Sequence, residues 1–174
     1  MKRFFKSCLL AIMLLSLSVG MAQAAERNDG SSVQQRSQGM RVVTNHPDLE
    51  IKLKRCQVNG KTCVIDFIMT NYGNDTRINF WGSNSSDNST AFDDEGNEYR
   101  IAVQATNSSL TYYAVGVDIL TDVPIKCRIQ IEGGASSATV FKRIKLVALC
   151  DALGLERHKP IMFYNVPITR EGDE

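Results

Sequence analysis

The sequence predicts an all-β chain folded as an antiparallel β-sandwich of about 7–9 strands. Three observations carry that expectation. Apolar residues recur at every second position in short runs, and clusters of Gly, Asn, Asp and Pro separate those runs. The bulk composition fits one ordinary globular domain with a core: 174 residues, 43% hydrophobic and 22% charged.

The first 24 residues read as an export signal. Lys2, Arg3 and Lys6 form a basic start, Cys8 to Val19 an apolar stretch, and Ala22-Gln23-Ala24 a small-residue cleavage site. The apolar stretch is shorter than the roughly 20 residues a membrane span requires. The competing reading, an uncleaved anchor, is disfavoured by Gly20 and the small residues that end the run. Cys8 lies at the near end of the stretch, the wrong place for a lipoprotein attachment. The expected product is exported, periplasmic or extracellular, with no transmembrane segment after cleavage. Residues 25–39 are polar and read as a flexible lead-in, 40–169 as the sandwich domain and 170–174 as a tail.

The whole chain carries a formal charge of +1. Cleavage removes three basic residues and no acidic one, leaving 17 basic against 19 acidic, or −2. Nucleic acid is therefore not an expected partner, because phosphate binding calls for a surplus of Lys and Arg.

Within the domain, Leu49, Ile51 and Leu53 alternate with Glu50, Lys52 and Lys54, and Ile65, Phe67 and Met69 follow with the same period. The loop Gln57-Val58-Asn59-Gly60-Lys61 between them closes in one of two ways. A two-residue Asn59-Gly60 turn sets Cys56 opposite Cys63 but Leu53 opposite Asp66. A three-residue loop pairs Leu53 with Ile65, Ile51 with Phe67 and Leu49 with Met69, matching apolar with apolar, and is preferred because a one-residue slip turns every side chain to the other face. In that register Cys56 points away from the core unless a bulge turns it. A second hairpin is centred on Asp94-Glu95-Gly96, joining Ala91–Asp93 to Glu98–Ile101. Ile125, Cys127, Ile129 and Ile131 form another alternating run, ended by Glu132-Gly133-Gly134. Ile144, Leu146 and Ala148 continue the pattern, residues 151–159 allow one helical turn, and Ile161–Ile168 read as a last strand that Pro167 marks as an edge.

Four cysteines remain after cleavage, Cys56, Cys63, Cys127 and Cys150, with no CxxC spacing among them. In an exported chain an even number reads as two disulfides, of any of three connectivities. Buried free thiols are the alternative.

The run Cys63 to Asn71 (CVIDFIMTN) with Tyr72-Gly73-Asn74, then Phe92 to Tyr99 (FDDEGNEY), Val123-Pro124-Ile125 and Phe163 to Ile168 (FYNVPI), resembles secreted immunoglobulin-like (telokin-like) β-sandwich domains of unknown function, Bacteroidetes-type. The likeness spans residues 49–168 and implies an exported telokin-like or adhesin-like sandwich with no catalytic residues to carry over. Trp81 does not sit between two cysteines in the antibody pattern.

Chemistry-bearing residues are sparse. His46 and His158 both lie in loop sequences, and no nucleophile elbow, zinc-helix or phosphate-loop motif is present. Asp93, Asp94 and Glu95 supply carboxylates for a hard cation, yet an acidic tip with one Gly is also an ordinary hairpin turn, so no metal and no cofactor are expected. Trp81 beside a long Ser/Asn loop, with Tyr112 and Tyr113, offers the materials of a sugar platform, although one of Phe80 and Trp81 must face the core. The sequons at Asn74, Asn84, Asn88 and Asn107 mark surface loops. The functional expectation is a non-enzymatic interaction or structural module with a protein or glycan partner. The alternatives are a carbohydrate-binding module built on Trp81 and, behind it, a hydrolase.

Overall fold

Alternation of apolar and polar residues puts one face of each strand in the core, and the strands must then cover that face by pairing and curling. The computed structural model describes residues 39–84, 88–133 and 137–170. Eleven strands run in the order β1 (Arg41–Val43), β2 (Leu49–Asn59), β3 (Thr62–Asn71), β4 (Thr76–Trp81), β5 (Thr90–Asp93), β6 (Glu98–Ala105), β7 (Ala114–Ile119), β8 (Ile125–Glu132), β9 (Val140–Leu149), β10 (Ile161–Pro167) and β11 (Thr169–Arg170). The one helical element among the described residues is a 3-10 turn, Asp151–Leu153, ended by Gly154 at φ 55°. No helix among them is long and apolar enough to cross a membrane. The signal segment, most of the lead-in and residues 171–174 lie outside the described residues.

The chain is all-β, and the strand count exceeds the expected seven to nine. The surplus comes from β1 and β11, three and two residues long, and from β4 and β7, where Asn79, Gly116 and Asp118 interrupt the alternation. β11 also carries ordered structure one residue past the expected end of the domain.

The strands form a mixed sheet in the order β1-β10-β9-β5-β6-β8-β3-β2-β11, with β4 on β9 and β7 on β4. All these pairings are antiparallel except β11 on β2. The sheet curls into a half-barrel. Phe67 on β3 and Phe163 on β10 are separated by four strands along that order, yet their rings meet edge-on at 5.5 Å. Both are buried, as are Phe80, Phe141, Ile65, Ile129, Ile131 and Ile144. Each such side chain stabilises the fold by roughly 1.5–3 kcal/mol, so this apolar interior sets the curl.

The β2–β3 hairpin takes neither anticipated register. Asn59 pairs with Thr62 across a two-residue loop, Gly60-Lys61, with Gly60 at φ 60°. Glycine reaches that left-handed conformation without strain, which favours it at the first loop position. Val58 then faces Cys63 and Cys56 faces Ile65, until the register shifts between Leu53 and Arg55. Beyond this bulge Leu53 pairs with Phe67 and Ile51 with Met69. The unpaired Lys54 lets the strand keep its apolar pairs below the bulge while turning Cys56 inward above it.

The last long strand also departs from expectation. β10 is not an edge: β1 covers Met162–Tyr164 on one side and β9 runs along the other. Pro167 is tolerated because it lies past the reach of β1, paired with Val140 at the end of the ladder.

Candidate functional site

The bulge at Lys54 sends two consecutive side chains to the outer face of the sheet. Arg55 sits across from Asp66 on β3, and Asp66 sits across from Arg128 on β8. The three form a cross-strand ion triad: Arg55 Nε donates to Asp66 Oδ2 at 2.6 Å and Arg128 Nε to Oδ1 at 2.7 Å. Burial pushes the Asp66 carboxyl up, but the hydrogen bonds from Arg128 and Arg55 outweigh it and hold the pKa below the ordinary carboxylate value. Beside the triad lies a groove of about 470 Å³ lined by Lys54, Asp66, Gln104, Thr106, Lys126 and Arg128. The Lys54 and Lys126 ammonium groups make no hydrogen bond or ion pair with the described residues.

The rim of the groove is strained. Thr106 holds φ 51°, a left-handed conformation that β-branched residues avoid. It is fixed there by a tight turn: Thr106 N donates to the Lys126 carbonyl at 2.7 Å, Ser108 N to the Ala105 carbonyl at 3.0 Å, and Gln104 Nε2 to the Ser108 carbonyl at 2.8 Å. Strain of about 1–3 kcal/mol at a residue facing a concave surface is characteristic of functional sites.

The aromatic candidates converge at a different place. Trp81 pairs with Ala114, the Gly82 amide donates to the Tyr113 carbonyl at 2.7 Å, and the Asn84 amide donates to that of Tyr112 at 2.9 Å. These bonds bring Trp81, Tyr112 and Tyr113 together. Tyr113 is 65% exposed, whereas Trp81 and Tyr112 are half-buried, and Arg100 stacks 5.0 Å over the Tyr112 ring. Trp81 Nε1 is buried without a hydrogen-bond partner among the described residues. Burial, followed by the hydrogen bond of its hydroxyl to the Glu132 carboxylate, pushes the Tyr112 phenol up to about 12.

The acidic hairpin is occupied by its own turn. Asp93 is 3% exposed and accepts from the Glu95 amide (2.9 Å), the Asn97 amide (2.8 Å), Asn97 Nδ2 (2.9 Å) and the Tyr99 hydroxyl (2.7 Å). Asp94 turns away to Thr139, and Glu95 to Ser137. Among the described residues no three His, Cys, Asp or Glu side chains gather as a metal site. The two histidines are also apart. His46 lines a depression of about 320 Å³ with Asp48 and Gly73, while His158, bonded to Glu156 at 2.8 Å, lines another of about 620 Å³. The four sequon asparagines are all exposed.

All four domain cysteines are buried and free, so the two expected disulfides are not present. Cys56 and Cys63 are in contact, Sγ to Sγ 3.5 Å, and Cys150 Sγ lies 3.5 Å from Thr76 Oγ1. Cys127 sits in the apolar interior, where burial raises its thiol to about 12.

The groove was not legible in the sequence. Lys54 and Lys126 read there as ordinary outward residues of alternating strands, and only an unusual backbone at Thr106, which a sequence does not display, distinguishes their surface. Among known proteins, no family model, no curated protein and no solved structure matches the chain.

Proposed function

We propose that this chain is an exported, non-enzymatic immunoglobulin-like module that binds a partner through an anionic group seated in the groove between Lys54 and Lys126. One observation carries the reading: two ammonium groups without partners among the described residues face a concave surface whose only lining carboxylate, Asp66, is already held by two guanidiniums. Lys54, Arg55, Lys126 and Arg128 against Asp66 leave a local surplus of positive charge on a chain whose overall charge is close to zero. Such a patch focuses an anion where the whole protein does not attract one.

Gln104 and Thr106 add polar groups at the same surface. The volume suits a ligand of one or two sugar rings, so the favoured partner is a glycan carrying carboxylate groups. Each exposed lysine contributes about 0.5–1 kcal/mol to such a contact, or roughly a factor of two to five in affinity. Titration of the purified protein with oligogalacturonate, and with a neutral oligosaccharide of equal length, tests this. Binding should be selective for the acid, weaken at high salt, and fall about tenfold in Lys54→Ala/Lys126→Ala, while Lys142→Ala, on β9, leaves it unchanged. Equal affinity for the neutral sugar, or no effect of the double substitution, would reject the groove.

The aromatic end supports a second reading, a neutral-glycan platform. The unpartnered Trp81 Nε1 beside the exposed Tyr113 ring favours it. A glycan array comparing wild type with Trp81→Ala and Tyr113→Ala separates it from the groove, since neither residue lines the latter.

A further inference from the structure

The four thiols are not equivalent. Cys56 and Cys63 lie on neighbouring strands, offset by two positions across the ladder, because Cys56 pairs with Ile65 and Cys63 with Val58. The bulge at Lys54 gives both the same inward face, and their sulfurs touch at 3.5 Å. Both are buried, at 3% and 0% exposure. Cys150 is instead against Thr76, and Cys127 lies opposite Phe67 and Ala105 in the ladders of β8. No other pair of sulfurs is in contact among the described residues.

We infer that Cys56 and Cys63 are a modification site: an oxidising dithiol-disulfide partner converts them to one disulfide across the β2–β3 hairpin, and Cys127 and Cys150 stay reduced. This rests on the sulfur geometry alone and is independent of the groove. The bond closes the contact from 3.5 Å to about 2.05 Å, and because diagonal neighbours across a ladder stand farther apart than the Cβ atoms of a disulfide, the two strands draw together as it forms.

The exchange balances as two steps. The Cys63 thiolate attacks one sulfur of the partner's disulfide, forming a mixed disulfide and releasing the partner's other sulfur as a thiolate. The Cys56 thiolate then attacks the Cys63 sulfur and expels the partner's second sulfur. One disulfide is consumed and one formed, and the two protons lost by Cys56 and Cys63 end on the partner's thiols. Because both sulfurs are buried in the closed hairpin, exchange takes place while the hairpin is open, during folding.

Trypsin cleaves after Arg55, Lys61 and Arg77, which separates the two cysteines into Cys56–Lys61 and Thr62–Arg77. The test refolds the full chain in a glutathione redox buffer, denatures it with iodoacetamide present, and maps the products without reduction. The expected result is a linked pair of those two peptides, with Cys8, Cys127 and Cys150 all alkylated. Cys127→Ser should keep the link, and Cys56→Ser should leave Cys63 alkylated. Five alkylated thiols in the wild type, or a bridge that includes Cys8, Cys127 or Cys150, would overturn the inference. Because the decisive map is made on the wild type, a variant that fails to fold does not rescue it.

Discussion

Replacing Asp93 by alanine should remove more stability than any other single change to an acidic residue of the β5–β6 hairpin. Its carboxylate accepts four hydrogen bonds, and its removal orphans four donors. Glu95 and Asn97 are exposed, so three of those donors turn to water and each loses about 0.5 kcal/mol. The Tyr99 hydroxyl is half-buried, and losing a charged acceptor there costs about 1.5 kcal/mol. The expected loss is about 3 kcal/mol, a large share of a typical domain stability of about 5–15 kcal/mol. Asp94→Ala, one residue on, removes contacts to the exposed Thr139 and to the Val140 amide and should cost less than about 1 kcal/mol. Urea unfolding at neutral pH followed by circular dichroism measures both. Equal midpoints for the two variants would refute the argument.

The same site gives the acid limb of stability its direction. Burial pushes the Asp93 carboxyl up, but the bonds from Asn97, Tyr99 and the two amides outweigh it and leave its folded pKa below the unfolded value. A depressed carboxyl pKa stabilises the fold above the unfolded value, near 3.9, and that stability is lost as pH falls through the folded pKa. Asp93→Asn should therefore flatten the decline below about pH 4. Tyr99 behaves oppositely. Burial and the Asp93 carboxylate raise it to about 12, so its contribution is intact below about pH 10 and lost as pH climbs towards 12. If the cluster held calcium instead, the wild-type melting temperature would rise with millimolar Ca²⁺ and fall with chelator; no such dependence is expected.

Other perturbations probe the remaining parts of the argument. Ser89→Ala should cost about 2–4 kcal/mol, because the buried hydroxyl donates to the Trp81 carbonyl and accepts the Val147 amide at 2.8 Å, and both would be left unpaired; thermal melting measures it. Gly82→Ala should destabilise by more than about 2 kcal/mol, since a Cβ there would lie 2.5 Å from the Tyr112 carbonyl carbon and 2.7 Å from its Cα, forcing backbone to move. Phe163→Ala should cost about 3–5 kcal/mol by emptying the contact with Phe67 that closes the curl. Thr106→Asn should raise the midpoint slightly, by less than about 1 kcal/mol, because asparagine tolerates the left-handed conformation.

The parts of the fold that were readable in the sequence are those where one residue type has one structural use. Ile125, Cys127, Ile129 and Ile131 alternate without interruption and are all buried on β8. The Asp94-Glu95-Gly96 tip closes the hairpin it was expected to close, with Phe92 opposite Glu98. Where several uses compete, the reading failed. β7 carries Gly116 because the side chains of Asn79 and Arg77 lie across it, so its alternation is broken by a packing need that is visible only in three dimensions. Trp81, Tyr112 and Tyr113 were grouped by chemistry, and the ladder between β4 and β7 explains why they meet. Lys126 was read only as the polar half of an alternation, because nothing in its neighbours reveals that Thr106 folds back to its carbonyl.

The hairpin shows most clearly why local pattern was insufficient. Both anticipated registers assumed an unbroken ladder, and each satisfied one demand at the expense of another: one joined the cysteines, the other joined the apolar rows. A single extra residue satisfies both. With Lys54 outside the ladder, Leu53 meets Phe67 in place of the expected Ile65, while Cys56, three residues on, shares the interior with Cys63. The same insertion places Lys54 and Arg55 side by side on the outer face, one in the groove and the other on Asp66. The proposed anion site and the proposed disulfide therefore depend on one bulge, on opposite faces of one sheet. Deleting Lys54 should abolish both, turning Cys56 outward or sliding the Leu49–Leu53 rows out of register, whereas Lys54→Ala should weaken the anion site and leave the sulfur pair intact.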